Sequence, residues 1–315
     1  MASVPVNVDN FVRAETARMF DGQIQRSGGV NAWDHARVPT PIDAQTVIRM
    51  NRDTLYSAAI VDISASATVT LPEAAGRYMT MMVVNEDHYI DRIFSEPGTY
   101  ELTVDEFDTP FVAIVVRTLV EPGDPEDVAE VNTLQDALTL EASSARPYEH
   151  LDYDEVSRKA TFEALAALST GLPSASRMFG RKDEVDPVRH LIGTAIGWGG
   201  LPESAAFYVP RTEPRAIGCH TLTLRDVPVD GFWSLAIYNR DGFFESNPYD
   251  SYGINSVTAT PDEDGSVTIN LSSDEDGLAN HVYIMEGWNY VLRFYEPRQE
   301  ILDGTWNIPE IVPAL

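Results

Sequence analysis

The chain has 315 residues, 43% of them apolar and 10% aromatic, enough to bury more than one core, so two domains are expected. Acidic residues outnumber basic ones 49 to 22, for a net charge of −27 and a sequence pI near 4.4. A surface of that sign repels nucleic acid and anionic lipid, so neither is expected as a partner.

Lys159 and Lys182 are the only lysines, and acid runs such as "PDEDG" and "SSDEDG" are spread along the whole chain. That spread reads as adaptation to a high-salt solvent, where screening shortens like-charge repulsion. The functional alternative is an acidic patch that recruits a cation or a basic partner. The single Cys219 excludes an internal disulfide and is expected as a buried thiol; without a CxxC or Cys/His cluster there is no zinc-site signal. No metal and no cofactor are predicted. The first residues, "MASVPVNVDNFVRAETARMF", lack a basic head followed by an apolar core, and no apolar run of about 18 residues occurs, so a soluble, cytoplasmic chain is expected unless a leader has been removed.

In chain order, Asp9 or Asn10 precedes Phe11, Ala14, Met19 and Ile24 at helical spacing, predicting a helix over 8–26 that stops at "SGG" and an N-terminal segment of residues 1–30. Residues 31–123 change pattern. "TVIRMNRDTLYSAAIVDIS", "ATVTLP", "YMTMMVVNEDHYIDRIF", "GTYELTV" and "TPFVAIVVRTLV" are short, β-branched or aromatic, and separated by Pro, Gly and acidic turns, as antiparallel strands are. Over 124–200 the period lengthens in "DPEDVAEVNTLQDALTL", "DYDEVSRKATFEALAALST" and "EVDPVRHLIGTAIGWGG", with Pro125 and Asp154 at helix starts. Residues 201–315 return to strands: "CHTLTLRDVP", "GFWSLAIYN", "GFFES", "SVTIN" and "NYVLRFYEP". The fold class expected is mainly β with α: two antiparallel β-sandwiches, an N-terminal helix and a helical segment between them.

"NRDTLYSAAIVDI" resembles the signature of the family called domain of unknown function 1254, and "DGFWSLAIYNRDGFFESNPYDSYGI" with "YVLRFYEPRQEILDGTWNIPEIV" resembles its usual downstream partner, domain of unknown function 1214. The likeness covers about residues 35–140 and 205–313. It implies a jelly-roll type of sandwich in each half. Members of this build are similar in shape to the paired sandwiches of peptide N-glycosidases, but no catalytic motif of those enzymes can be laid on this chain. The export signal that the family often carries is not seen, and "NHVYIMEGWN" stands where a segment like "NWLPAP" is expected.

Chemistry concentrates in four places. In "NRDTLYS", read as a strand, Arg52, Thr54 and Tyr56 share one face and Asn51, Asp53 and Leu55 the other. Either ion pairs and turn bonds pin the strand start, or Asn51, Arg52 and Tyr56 face a ligand. The stretch is expected to open the central strand of the first sandwich, with its arginine and tyrosine toward a cleft between the sandwiches. In "VVNEDHYIDR", Glu86, Asp87, His88 and Asp91 suit acid/base chemistry, with His88 paired to Glu86 or Asp91; an acidic hairpin turn with an exposed histidine is the bland alternative.

In "GFWSLAIYN", Phe232, Ser234, Ala236 and Tyr238 alternate against Trp233, Leu235 and Ile237, so Trp233 is expected in the core and Tyr238 toward a cleft. "NPYDSYG" adds Asn247, Tyr249 and Tyr252, and "EGWNYVLRFYEP" sets Arg293 and Tyr295 on the face of Val291. Amphipathic rings with an arginine suit a sugar or a carboxylate, and suit a seam equally. His35, His150, His190 and His220 read as structural; His281 draws notice because it lies in the departing segment. No HExxH, GxSxG or GxGxxG occurs.

Three functions stand open. One is a hydrolase or lyase for a small polar or glycan-like substrate, with Asp53, Glu86, His88 and Asp91 as catalytic candidates. Another is a noncatalytic binder of a saccharide or organic acid, using Asn51, Arg52, Tyr56, Tyr238, Asn247, Tyr249, Arg293 and Tyr295. The last is a structural protein that assembles as a homo-oligomer.

Overall fold

The computed structural model describes residues 3–45, 48–172, 174–274 and 277–314. Thr46 and Val47, where the first long strand is predicted to begin, and Glu275 and Asp276 of the predicted "EDG" turn lie outside the described residues. The chain divides into two compact units, Met1–Arg37 with Thr54–Pro202 and Val38–Asp53 with Glu203–Leu315.

The first unit runs α1 (Phe11–Ser27), β1 (Asp34–His35), β2 (Thr54–Asp62), β3 (Ala67–Leu71), β4 (Met79–Asn85), β5 (Ile90–Phe94), β6 (Gly98–Leu102), α2 (Val104–Phe107), β7 (Phe111–Leu119), α3 (Pro125–Asp136), β8 (Thr139–Ala142), α4 (Glu155–Leu168) and α5 (Pro187–Gly197). Helix α1 ends where Gly28 turns left-handed (φ 82°) and donates its N–H to Ile24 O. The next long helices start as their sequences dictate: Asp124, Asp154 and Asp186 accept backbone N–H bonds at the first turns of α3, α4 and α5, and Pro125 and Pro187 occupy positions where no N–H is needed.

One antiparallel sheet has the order β1-β2-β7-β4-β5 and a smaller one β6-β3-β8. Alternate residues from both, among them Val61, Met81, Ile114 and Val116 from the first and Val69, Leu71 and Leu102 from the second, enter one core. Helices α1, α4 and α5 build a separate cluster around Phe11, Ala14, Leu165 and Ile192. The central strand is therefore β7, with β2 beside it in a nine-residue register from Thr54↔Leu119 to Asp62↔Phe111. "NRDTLYS" does not open the central strand, and only its last four residues are strand. Residues 139–142, expected to continue a helix, instead pair with β3, because α3 has already ended at Asp136.

The second unit contains β9 (Ala206–Arg215), β10 (His220–Leu224), β11 (Trp233–Tyr238), β12 (Gly253–Asn255), β13 (Val267–Ser272), β14 (His281–Tyr283), β15 (Trp288–Tyr295), α6 (Gln299–Leu302) and β16 (Val312–Pro313). Its two sheets, β12-β11-β15-β9 and β14-β13-β10-β16, share a core of Leu222, Trp233, Leu235, Ile237, Ile269, Trp288, Tyr290, Leu292 and Phe294. The protein is thus mainly β, with four sheets among the described residues and an N-terminal helix. "GFFES" forms no strand; Phe244 turns inward instead and packs with Tyr238 (ring centroids 4.7 Å apart). No helix among the described residues is long and apolar enough to cross a membrane.

Asp62, wholly buried at the end of β2, closes the first unit. Its carboxylate accepts from Ser64 Oγ (2.6 Å), from the Arg146 backbone N–H (2.8 Å) and from the Arg146 guanidinium (3.1 and 3.2 Å). Burial opposes its charge, but these donors outweigh that effect and hold its pKa well below the carboxylate range. Its stabilising contribution is present above the unfolded pKa of about 4 and is lost as pH falls through the lower folded value. Asp62→Ala removes the shared acceptor of Ser64 and Arg146, whose half-exposed guanidinium can turn to water, and is expected to cost about 2 kcal/mol at pH 7 and less at pH 3, read by urea unfolding at both pH values.

Candidate functional site

In the second unit, residues 38–53 lie on the sheet face opposite the core. Ile42 and Met50 pack there against Ala236, Tyr238, Phe244 and Val291. Gln45 and Phe244 exchange two hydrogen bonds (2.9 and 2.8 Å), and Arg49 N–H donates to Gly242 O (2.8 Å). The segment's described residues make no strand pairing, so side-chain bonds and the one from Arg49 N–H hold it.

At its centre is Arg293, only 4% exposed on β15. Its Nη2 donates to Tyr238 Oη (2.7 Å) and to Arg49 O (3.0 Å), and Tyr238 Oη donates to Met50 O (2.8 Å). Burial opposes this guanidinium's charge, but Tyr238, Tyr295 and Asp53 around it raise its pKa above the ordinary arginine value. Asn51 Nδ2 donates to Tyr295 Oη (3.0 Å), and Asp53 N–H donates to Asn51 Oδ1 (2.8 Å), a local turn that aims the aspartate side chain. Asp53 accepts from Asn255 Nδ2 (3.3 Å); burial pushes its carboxyl up, against the pull of Arg293. Arg52 donates to Thr40 O and lies over the Tyr252 ring (5.1 Å).

Two guanidinium groups here are incompletely partnered. Arg293 Nη1 and Arg49 Nε are both buried without a hydrogen-bond acceptor, and Ser234, opposite Arg293 in the strand register, lies against the Asp53 carboxyl. Burial lowers the Arg49 pKa, and the nearby charge of Arg293 lowers it further. The arrangement is a buried cluster of two guanidinium groups with one carboxyl, Asp53, in a strongly acidic chain.

Of the predicted residues, Asn51, Arg52, Asp53, Tyr238, Arg293 and Tyr295 come together here. Tyr56 does not: it lies on β2 in the first unit, its ring under Arg117 (5.4 Å). The alternation that paired Arg52 with Tyr56 fails because the strand starts only at Thr54. Asn247 shapes a turn, accepting from Tyr249 N–H and Ser251 N–H (both 3.1 Å). Tyr249, 37% exposed, packs edge-on to His281 (5.8 Å). Tyr238 is fully buried rather than open to a cleft. Arg49, Ser234 and Asn289 were not singled out from sequence. The alternation of β11 and β15 carried the signal for two of them, since Ser234 shares its strand face with Tyr238, and Asn289 with Arg293.

The acidic turn of the first unit is organised differently. Asn85 Oδ1 accepts from Asp87 N–H and Tyr89 N–H (3.0 and 2.9 Å), and His88 takes a left-handed conformation (φ 61°) that sends its ring inward. His88 is fully buried, not exposed. Gly199 N–H donates to its Nε2 (2.9 Å), so the proton sits on Nδ1 and is donated to Thr194 Oγ1 (2.8 Å). Burial and the neighbouring His190 hold its pKa well below the ordinary value. Both nitrogens are thus engaged away from Glu86 and Asp91, and the predicted acid/base pair is not formed. Glu86 borders a cavity of about 440 Å³ with Phe111, Arg146 and Glu149. Its carboxylate is already held by Arg13 (2.8 Å) and Phe111 N–H (3.3 Å), and burial pushes its pKa up against the pull of Arg13. Among the described residues no group of three or more His, Cys, Asp or Glu could hold a metal.

The model for the protein family of unknown function DUF1254 matches residues 30–103, and that for DUF1214 matches residues 215–299. The chain belongs to the family that joins these two domains. Its DUF1254 match includes residues 38–53, so that domain supplies the segment that completes the Arg293 recess on the DUF1214 sheet. Two crystal structures are similar. The VPA0106 protein from Vibrio parahaemolyticus shares 18% identity over 98% of both chains, with a TM-score of 0.78. An uncharacterized protein from Burkholderia cenocepacia shares 14% identity over 96% of this chain and 87% of its own, with a TM-score of 0.53. At such identities the likeness is one of fold. No curated protein matches this DUF1254–DUF1214 chain.

Asp91, on β5, keeps Oδ2 buried without a partner, and burial, with Asp108 adding like charge, pushes its carboxyl up to about 6. The folded state therefore holds a proton that the unfolded state releases near pH 4, and stability falls as pH rises from about 4 to 6. Asp91→Asn is expected to be more stable than the wild type by about 1 kcal/mol at pH 7, discounted for partial exposure, and equal to it at pH 4. Denaturant midpoints at the two pH values measure the difference.

Proposed function

We propose that this protein binds a small organic-acid anion at the Arg293 recess. The observation that carries the reading is the pair of buried donors, Arg293 Nη1 and Arg49 Nε, which lack an acceptor. Buried N–H groups are ordinarily paired, and charged ones gain most from an anionic acceptor. A carboxylate would also relieve the repulsion that Arg293 exerts on the Arg49 guanidinium, beyond what Asp53 does for Arg293. The saccharide alternative draws less support, because Tyr238 and Tyr295 are 0% and 1% exposed and offer no open ring face for a sugar to stack on.

A hydrolase or lyase is the second reading, and Asp53 favours it. A carboxyl whose pKa burial raises, next to an arginine that could orient an anion, is placed to deliver a proton to a leaving group. In a thermal-shift series with succinate, malate and citrate, one acid should raise the Tm of the wild type by several degrees, as mass action requires at about 100 times Kd. Arg49→Gln should lose most of that shift. If no acid stabilises the wild type, or if Arg49→Gln keeps the full shift, the binding reading fails. Consumption of the same acid, abolished in Asp53→Asn while the shift persists, would promote the protein from binder to enzyme.

The acidity we read as adaptation to salt, since acidic side chains crowd loops in both units. Raising KCl from about 0.1 M to 1 M shortens the Debye length from about 10 to 3 Å and screens the self-repulsion of a chain of charge −27. The Tm is expected to rise over that range; a fall, as for a chain held by surface ion pairs, would count against the reading.

A further inference from the structure

We propose a second ligand site, separate from the Arg293 recess, for a small monocarboxylate with an apolar body. A cavity of about 560 Å³ opens between the end of β9, the start of β10 and β16, lined by Arg215, Ile217, Cys219, His220, Ile311 and Pro313. It is an open depression, so a ligand there would keep one face in water. None of its lining residues is shared with the recess, and none is acidic.

Arg215 sets the ligand's charge. It lies over the rings of Tyr290 (5.1 Å) and Trp288 (5.5 Å), and its Nη1 donates to Ile311 O (3.3 Å). Among the described residues it makes no ion pair, although Glu310, held by Arg211 and the Tyr290 hydroxyl, lies near enough for the Arg215 charge to lower its pKa. Stacking on two aromatic rings holds the guanidinium plane in place, so little freedom remains to be lost when an anion binds. His220 lines the same cavity, edge-on to Trp288 (5.3 Å), and both its ring nitrogens are buried without a partner. The other walls, Ala216, Ile217, Ile311 and Pro313, are apolar. A carboxylate on Arg215 with a hydrocarbon body against Ile217, Ile311 and Pro313 satisfies both features. Inorganic anions lack the body, and neutral hydrophobes leave the charge unmet.

Cys219 was expected to be buried but is exposed, and it lines this cavity. As the chain's only cysteine, it reports occupancy of the site without labelling elsewhere. The experiment is alkylation of the intact protein by iodoacetamide, followed by mass spectrometry, with benzoate as the occupant and chloride keeping ionic strength constant. Benzoate should slow alkylation of the wild type saturably, by about tenfold at ten times its Kd. Arg215→Gln should lose the protection, read as the ratio of its own rates with and without benzoate, since removing a cation near the thiol changes the basal rate. Ile217→Glu, at a side chain 51% exposed and outside the core, places a like charge in the wall and should lose it too, even if Arg215→Gln folds poorly. Arg49→Gln should keep full protection, which separates this site from the recess. An unchanged wild-type rate in benzoate, protection that survives in Ile217→Glu, or protection that disappears in Arg49→Gln would overturn the proposal.

Discussion

The second unit depends on a single buried guanidinium. Arg293 lies on a strand covered on both faces, and a charge removed from water must find partners in the protein or it destabilises the fold. The sheet itself supplies only Tyr238. The other acceptor, Arg49 O, belongs to residues 38–53, a stretch distant in sequence whose described residues have no strand pairing. The sheet therefore needs the segment to satisfy its arginine, and the segment needs the arginine to hold its course. Tyr238 joins the two by accepting from Arg293 and donating to Met50 O, so one hydroxyl uses both of its capacities.

This explains why β11 and β15 read as uninterrupted apolar strands while carrying polar residues on one face. On the core side, Trp233, Leu235, Ile237, Tyr290, Leu292 and Phe294 meet the second sheet. On the other side, Ser234, Tyr238, Asn289 and Arg293 are equally buried, but beneath a loop rather than a sheet. A loop carries unpaired carbonyls and N–H groups, and a polar face can answer them where an apolar one could not. Asn289 shows the same logic, donating to Asn239 O (2.6 Å). The strands of the first unit need no such face where two sheets enclose one core.

Much of this was legible. The change from period two to helical spacing after Asp124, the Asp–Pro helix starts and the alternation in "GFWSLAIYN" each rest on local chemistry that a sequence displays, and each appears in the fold. The placement of Trp233 and of Arg293 with Tyr295 follows from strand period alone. What failed was non-local. Asn51, Arg52 and Asp53 precede a strand and look continuous with it, but their side chains are claimed by partners on residues 295, 40 and 255. His88 looks like a surface turn residue because its neighbours are acidic. Only the left-handed backbone at that position, and a helix a hundred residues later, turn it into a buried, neutral ring bonded to Thr194.

The composition offers one more locator. In a chain with more than two acids for each base, a surface arginine meets a carboxylate almost wherever it lies, as Arg13, Arg77, Arg92 and Arg298 do. Such pairs contribute little individually and say little about function. An arginine that closes no ion pair is the informative case, because the surrounding field favours pairing. Arg293 is buried with Asp53 acting on it but not bonded to it, and Arg215 lies over aromatic rings with Glu310 near but not paired to it. Both belong to the second unit, and both retain a cationic surface or buried donor that a carboxylate of the right size would complete. In a protein whose net charge repels anions at long range, short-range recesses of this kind are where an anion can still be held.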